Sequence, residues 1–215
     1  MTSCSSSLVY SPSLQLDNKQ LEKDEVSLSG NISTMPETRP NSFIDLGDPN
    51  GKPEKASLGF DGRIGYGFSN SFNLEGRAWV DDEINRGGLA LSSAFYFNEN
   101  ERLSYFFKPV IGIVIGDGSY EGMGLELPIG IVYDLSEKFY NYTGIGLAYG
   151  LRDTEVAENG NRQVGLGLLG HIGFGYNLNK VVSVKAELTP IQQYNFYNEV
   201  DHFIVSAAFG LSLKF

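Results

Sequence analysis

Eight ionisable residues stand inside the central strand-like stretches of this chain, and all eight fall on one parity: Asp61, Arg63, Glu75, Arg77, Lys108, Glu126, Lys185 and Glu187. The opposite parity of the same stretches is apolar, as in Phe60, Ile64 and Tyr66, then Ile111, Ile113 and Ile115, then Ile145, Leu147 and Tyr149. A period of two sends alternate side chains to opposite faces of a sheet. One face is therefore apolar along its length, and the other holds every central charge.

Ten alternating stretches follow one another, near 25–33, 56–68, 72–82, 88–97, 102–116, 123–134, 139–151, 164–177, 181–189 and 202–215. The gaps between them differ in length. Ser69 to Ser71, Asn98 to Glu101, Leu135 to Lys138 and Leu178 to Lys180 are tight turns, whereas Thr34 to Lys55, Arg152 to Gln163 and Pro190 to Asp201 are long. Short turns at one end and long loops at the other describe an up-and-down antiparallel sheet.

Alternation by itself also suits a soluble sandwich or barrel with its apolar face inside. Two features favour the reverse arrangement. The polar parity is rich in glycine, as in Gly59, Gly65 and Gly67 and again Gly165, Gly167, Gly173 and Gly175, which suits a crowded narrow interior. Aromatics of the apolar parity gather beside the tight turns: Tyr66, Phe68, Phe72, Phe95, Phe97, Tyr105, Tyr133, Phe139, Tyr176 and Phe215. That distribution is an interfacial belt. The expected fold is all-β, an antiparallel up-and-down transmembrane β-barrel of about ten strands. Eight strands is the alternative, should the first segment and one other stay outside the barrel.

No run of about 18 apolar residues exists, which excludes a transmembrane helix but not spanning strands, which need about 9 to 11 residues each. A net charge of −10 argues against nucleic acid as a partner. Pro109 and Pro128 each lack an N–H in mid-strand, and a bulge shared by their two strands is expected there.

The last fourteen residues supply a resemblance. Phe209, Leu211, Leu213 and the terminal Phe215 lie on one parity of a closing strand, and the pattern resembles the C-terminal recognition strand of bacterial outer-membrane β-barrels. The resemblance implies a partner in the barrel-assembly machinery, contact with outer-membrane lipid, and both termini on the periplasmic side. Met1-Thr2-Ser3-Cys4 is similar to the end of a lipoprotein signal, which implies acylation at Cys4. Residues 1–24 are accordingly read as a periplasmic tether, in which Val9-Tyr10 and Leu14-Leu16 are placed to dock on the barrel rim or in the lumen, and 25–215 as the barrel. The whole resembles the small outer-membrane barrels common in Bacteroidota.

The interior charges number four basic and four acidic residues, so they cancel. Pairing is the least costly way to hold them in a narrow interior. The first tight hairpin is read with Asp61 opposite Arg77 and Arg63 opposite Glu75. A salt-bridged, largely closed lumen follows, and with it a structural or accessory binding role in which the 22-residue loop from Thr34 to Lys55 is a candidate contact surface for a protein or other ligand. A narrow passive porin-like channel is the alternative, since a selectivity ring would favour one sign of charge.

Catalysis is not expected. His171 and His202 are the only histidines. Asp81-Asp82 and Asp201-His202 invite comparison with omptin proteases, but each pair is adjacent in sequence, so a regular strand sends its members to opposite faces. A rim deacylase is approached only through His202 and Ser206, which leaves a rim hydrolase as the remaining alternative. No metal or cofactor is expected: Asp117, Glu121, Asp153 and Glu155 are loop carboxylates, and the glycine pattern of 165–170 has no helix after it.

Overall fold

The computed structural model describes residues 21–35, 57–81, 86–98, 100, 102–116, 119–153, 162–195 and 200–215. Eleven strand segments fill ten positions of one closed antiparallel sheet. They are β1 (Val26–Met35), β2 (Ser57–Ser69), β3 (Phe72–Asp81), β4 (Arg86–Asn98), β5 (Leu103–Phe107), β6 (Val110–Gly116), β7 (Ser119–Asp134), β8 (Phe139–Asp153), β9 (Arg162–Asn177), β10 (Val182–Asn195) and β11 (Val200–Lys214). β5 and β6 are two halves of one strand, since both lie between β4 and β7. Every other strand pairs with its neighbours in sequence. The ring closes where β1 meets β11 between Ser27↔Lys214 and Ser33↔Ala208. Val26 and the terminal Phe215 exchange two backbone hydrogen bonds of 3.0 and 2.9 Å, which make the last rung of that seam.

The two faces are inverted relative to a water-soluble barrel. Ile64, Leu147, Ile145 and Phe209 are about 60% exposed on the outside, whereas Asp61, Arg63, Lys185 and Glu187 are buried inside. A continuous apolar surface of this extent far exceeds the few hundred Å² that soluble monomers leave exposed. Its natural solvent is hydrocarbon, in which a closed barrel satisfies every backbone group by inter-strand bonds. Among the described residues no helix is long and apolar enough to cross a membrane; the crossing elements are strands.

The interior is less uniformly small and polar than expected: Val114, Leu169 and Ile191 are buried in it. Trp79, Tyr96, Phe106, Tyr140 and Tyr142 also point inward and are buried. Glycines across the ladder make room for them. Tyr142 pairs with Gly173 and Tyr140 with Gly175, and a Cβ on either glycine would overlap the facing ring. Phe106 sits likewise against Gly130 and Gly144, and the Trp79 indole against Gly88. With Ala94 and Val132, the rings of Tyr96, Phe106, Tyr140 and Tyr142 form one buried cluster in the tight-turn half of the lumen. On the outside of the same rim, Tyr66, Phe68, Phe72, Phe95 and Phe107 make a run of ring contacts with centroids 4.8 to 6.2 Å apart.

Three local expectations are corrected. The first hairpin pairs Arg63 with Arg77, Asp61 with Trp79 and Gly65 with Glu75, two residues from the expected register. Its turn is centred on Asn70 and Ser71, with Ser69 facing Phe72 and an irregularity between Gly67 and Ser69. The prolines create a gap rather than a bulge. The ladder lapses at Lys108 and Pro109, yet Phe107 faces Phe95 and Ile129 while Val110 faces Ser92 and Glu126, so no residue is inserted. Two backbone bonds bridge the lapse, Ser93 N–H to Pro109 O (3.1 Å) and Lys108 N–H to Pro128 O (2.9 Å). Finally, Pro190 lies within β10 instead of starting a loop. It faces Val205 on β11, while towards β9 the ladder lapses between Leu188↔Ile172 and Ile191↔Leu169 without a change of register, and Gly170 leaves space for its ring.

Candidate functional site in the lumen

The period of two within β2 puts Asp61 and Arg63 on the same inward face, and their side chains pair at 2.7 Å. Asp61 also accepts from Arg77 of β3 at 3.2 Å and from the Asn31 amide of β1 at 2.7 Å. A directly opposed Arg63 and Arg77 would repel. Asp61 bridges them, so the carboxylate is required by the register. Glu75 is the second bridge: it accepts from Lys108 at 2.9 Å and from Ser92 at 3.3 Å, and Arg63 approaches it at 3.8 Å. Asp61 thus reaches Arg77, and Arg63 reaches Glu75, along the diagonal of the ladder rather than straight across it.

Across the lumen, Glu187 of β10 gathers a second group. Its carboxylate accepts from the Tyr142 hydroxyl, from Thr189 at 2.8 Å, and faces His171 Nδ1 at 3.3 Å. Lys185 is buried on the same face of β10 two residues earlier. Glu126 is buried on β7 and lines, with Arg77, Trp79, Ala90, Val110 and Gly112, a cavity of about 20 Å³. That volume has room for roughly one water molecule. Eight charges, balanced in sign, are therefore held within side-chain reach in a narrow interior. Among the described residues no group of three or more metal-binding side chains is present.

His171 points into the lumen and is buried there, with Nδ1 within hydrogen-bond distance of the Glu187 carboxylate. The interior aromatics were missed, although each lies on the inward parity of its strand and Trp79, Phe106, Tyr140 and Tyr142 each face a glycine on the adjacent strand. Phe209, Leu211 and Phe215 are exposed on the outer face, and Leu213 lies half-exposed beside them. Cys4, Asp82, Asp117, Glu155 and most of the loop from Thr34 to Lys55 lie outside the described residues, as do Val9-Tyr10 and Leu14-Leu16. The backbone sets His202 opposite Gln193 and Asp201 opposite Tyr194 at the long-loop end of β11.

No family model matches the chain, and no curated protein matches it in sequence. Solved structures do match its shape. An outer membrane channel from Pseudomonas putida F1 is similar over 93% of this chain and 98% of its own, with a TM-score of 0.57 at 9% identity. The outer membrane protease OmpT from Escherichia coli aligns over 93% of this chain and all of its own, with a TM-score of 0.49 and 9% identity. Ail, the attachment invasion locus protein of Yersinia pestis, aligns over 90% and 99%, with a TM-score of 0.38 and 14% identity. The channel's likeness shows the fold. The chain has the closed ten-strand architecture of bacterial outer-membrane β-barrels.

Proposed function

We propose that this chain is a non-enzymatic outer-membrane barrel with a closed lumen, acting as a structural or accessory binding protein. The observation that carries the reading is the pairing of charge across the interior. Asp61 bridges Arg63 and Arg77, and Glu75 bridges Arg63 and Lys108. A conducting pore gains from a ring of one sign and an open path, whereas balanced bridges backed by buried aromatic rings favour a closed interior. Contacts with partners then fall to the long-loop end, including the loop from Thr34 to Lys55. The same reading takes the strand ending in Phe209, Leu211, Leu213 and Phe215 as the signal for the assembly machinery, places both termini in the periplasm, and takes Cys4 as an acylated anchor of a Bacteroidota-type lipoprotein.

The test is single-channel conductance in a planar bilayer, comparing the parent with Glu75→Ala and Arg77→Ala. Silence in the parent with openings in the variants supports the closed lumen. Steady conductance in the parent replaces the reading with a narrow passive pore, whose ion selectivity would then identify the lining charges.

A further inference from the structure

The chain does not enter β1 from outside the barrel. Leu21 is buried, and its side chain lies over the inward faces of Gly65 and Gly67. Those glycines share the parity of Asp61 and Arg63, so Leu21 is inside the tight-turn mouth of the lumen. The backbone then turns out through Glu22 and Asp24 to join the wall. Asp24 N–H donates to Gly67 O at 2.8 Å, Gly67 N–H to Glu25 O at 2.9 Å, and Glu25 N–H to Glu22 O at 3.1 Å.

Side chains lock this turn. The Glu25 carboxylate accepts from Glu22 N–H at 2.8 Å, and Asp24 accepts from the Tyr66 hydroxyl at 2.6 Å. The Asn73 amide, oriented to satisfy its neighbours, accepts from Leu21 N–H at 2.9 Å and donates to Phe72 O at 3.2 Å. Asp24 holds a left-handed backbone with φ of 70°, which a non-glycine residue keeps only when its surroundings enforce it. Gly67 is glycine for a steric reason: a Cβ there would run into the Glu22 carbonyl. A purely solvent-directed tether needs none of these contacts.

We infer that Leu21–Glu25 is a latch that folds into the tight-turn mouth and shuts it from within, as a barrier separate from the charged tier. The latch goes beyond the closed-lumen reading and stands whether or not that tier conducts. Ser27 reports on it, because its buried hydroxyl and the Leu21 side chain meet at the same inward face of Gly65.

The experiment places Ser27→Cys in a Cys4→Ser background of the full chain, folded in lipid vesicles, and measures the rate of modification by a charged, water-soluble thiosulfonate. The latch is displaced in two ways, by Gly67→Leu and by Leu21→Asp, with folding checked by circular dichroism. A rise in rate of about tenfold or more in the folded variants supports the latch, because exposure then no longer waits on local opening; a smaller rise overturns it. Should Gly67→Leu fail to fold, Leu21→Asp decides alone. Conductance of the same samples reports on the charged tier, so the two readings fail separately.

Discussion

Replacing Gly173 by alanine tests how the interior is packed. Gly173 faces Tyr142 across the β8–β9 ladder, and an added methyl would occupy the space of the phenol ring. The ring has little freedom to retreat, since Tyr142 is fully buried and its hydroxyl donates to Glu187. Overpacking of this kind costs about 1–3 kcal/mol, and losing a hydrogen bond to a charged group adds about 1.5–3 kcal/mol if the ring is driven off. The lower conformational entropy of unfolded alanine returns about 0.4–1 kcal/mol. With the ring driven off, the expected net loss is about 1.5–5.5 kcal/mol. Gly62→Ala is the internal control, because its methyl points outward with nothing within 4 Å and should be neutral or slightly stabilising. Reversible urea unfolding in lipid vesicles reads both, with Trp79, the only tryptophan, as the fluorescent reporter. A Gly173→Ala variant within about 0.5 kcal/mol of the parent would refute the argument, since that is the range of substitutions that disturb nothing.

Three further outcomes follow from the same geometry. Asp61→Ala leaves Arg63 and Arg77 opposed and buried without their bridge, so it should cost about 3–5 kcal/mol in the same unfolding assay, and a loss below 1 kcal/mol would mean that the bridge is dispensable. Ile64→Arg, on the outward face at mid-strand, should lose about 2–4 kcal/mol in lipid, measured against an outward polar change near the rim; equal losses at the two depths would contradict a membrane setting. Cells fed labelled palmitate should yield a labelled parent and an unlabelled Cys4→Ser variant, and an unlabelled parent would remove Cys4 from the reading.

The architecture was legible because parity is enforced twice in such a barrel, once by lipid outside and once by crowding inside. Asp61, Arg63, Glu75 and Arg77 therefore mark the inner face in the sequence itself. Register was less legible. It depends on where a turn is centred, and neither Asn70 nor Ser71 announces that the hairpin closes at Ser69 and Phe72. Long arginine side chains nonetheless restored the expected partners along the diagonal, which is why the pairing survived an error in the ladder. The inward aromatics were hidden for a different reason: the parity of Tyr140 and Tyr142 points them inward, but a narrow interior has room for rings of that size only because Gly175 and Gly173 stand opposite them. Pro190 read as a strand end because a missing N–H usually ends a strand, but here the space left by Gly170 accommodates the ring. The latch at Leu21 has no periodicity to betray it, being held by turn hydrogen bonds and by one glycine that leaves room for a carbonyl.

The central claim is that the charged parity faces inward and the apolar parity faces lipid. The most direct measurement is a nitroxide scan of residues 61 to 66 in lipid vesicles, in a Cys4→Ser background, reading collision with dissolved oxygen at each position. Accessibility to oxygen, which concentrates in hydrocarbon, should alternate with a period of two, high at Gly62, Ile64 and Tyr66 and low at Asp61, Arg63 and Gly65. The opposite phase, or no alternation, would contradict the account.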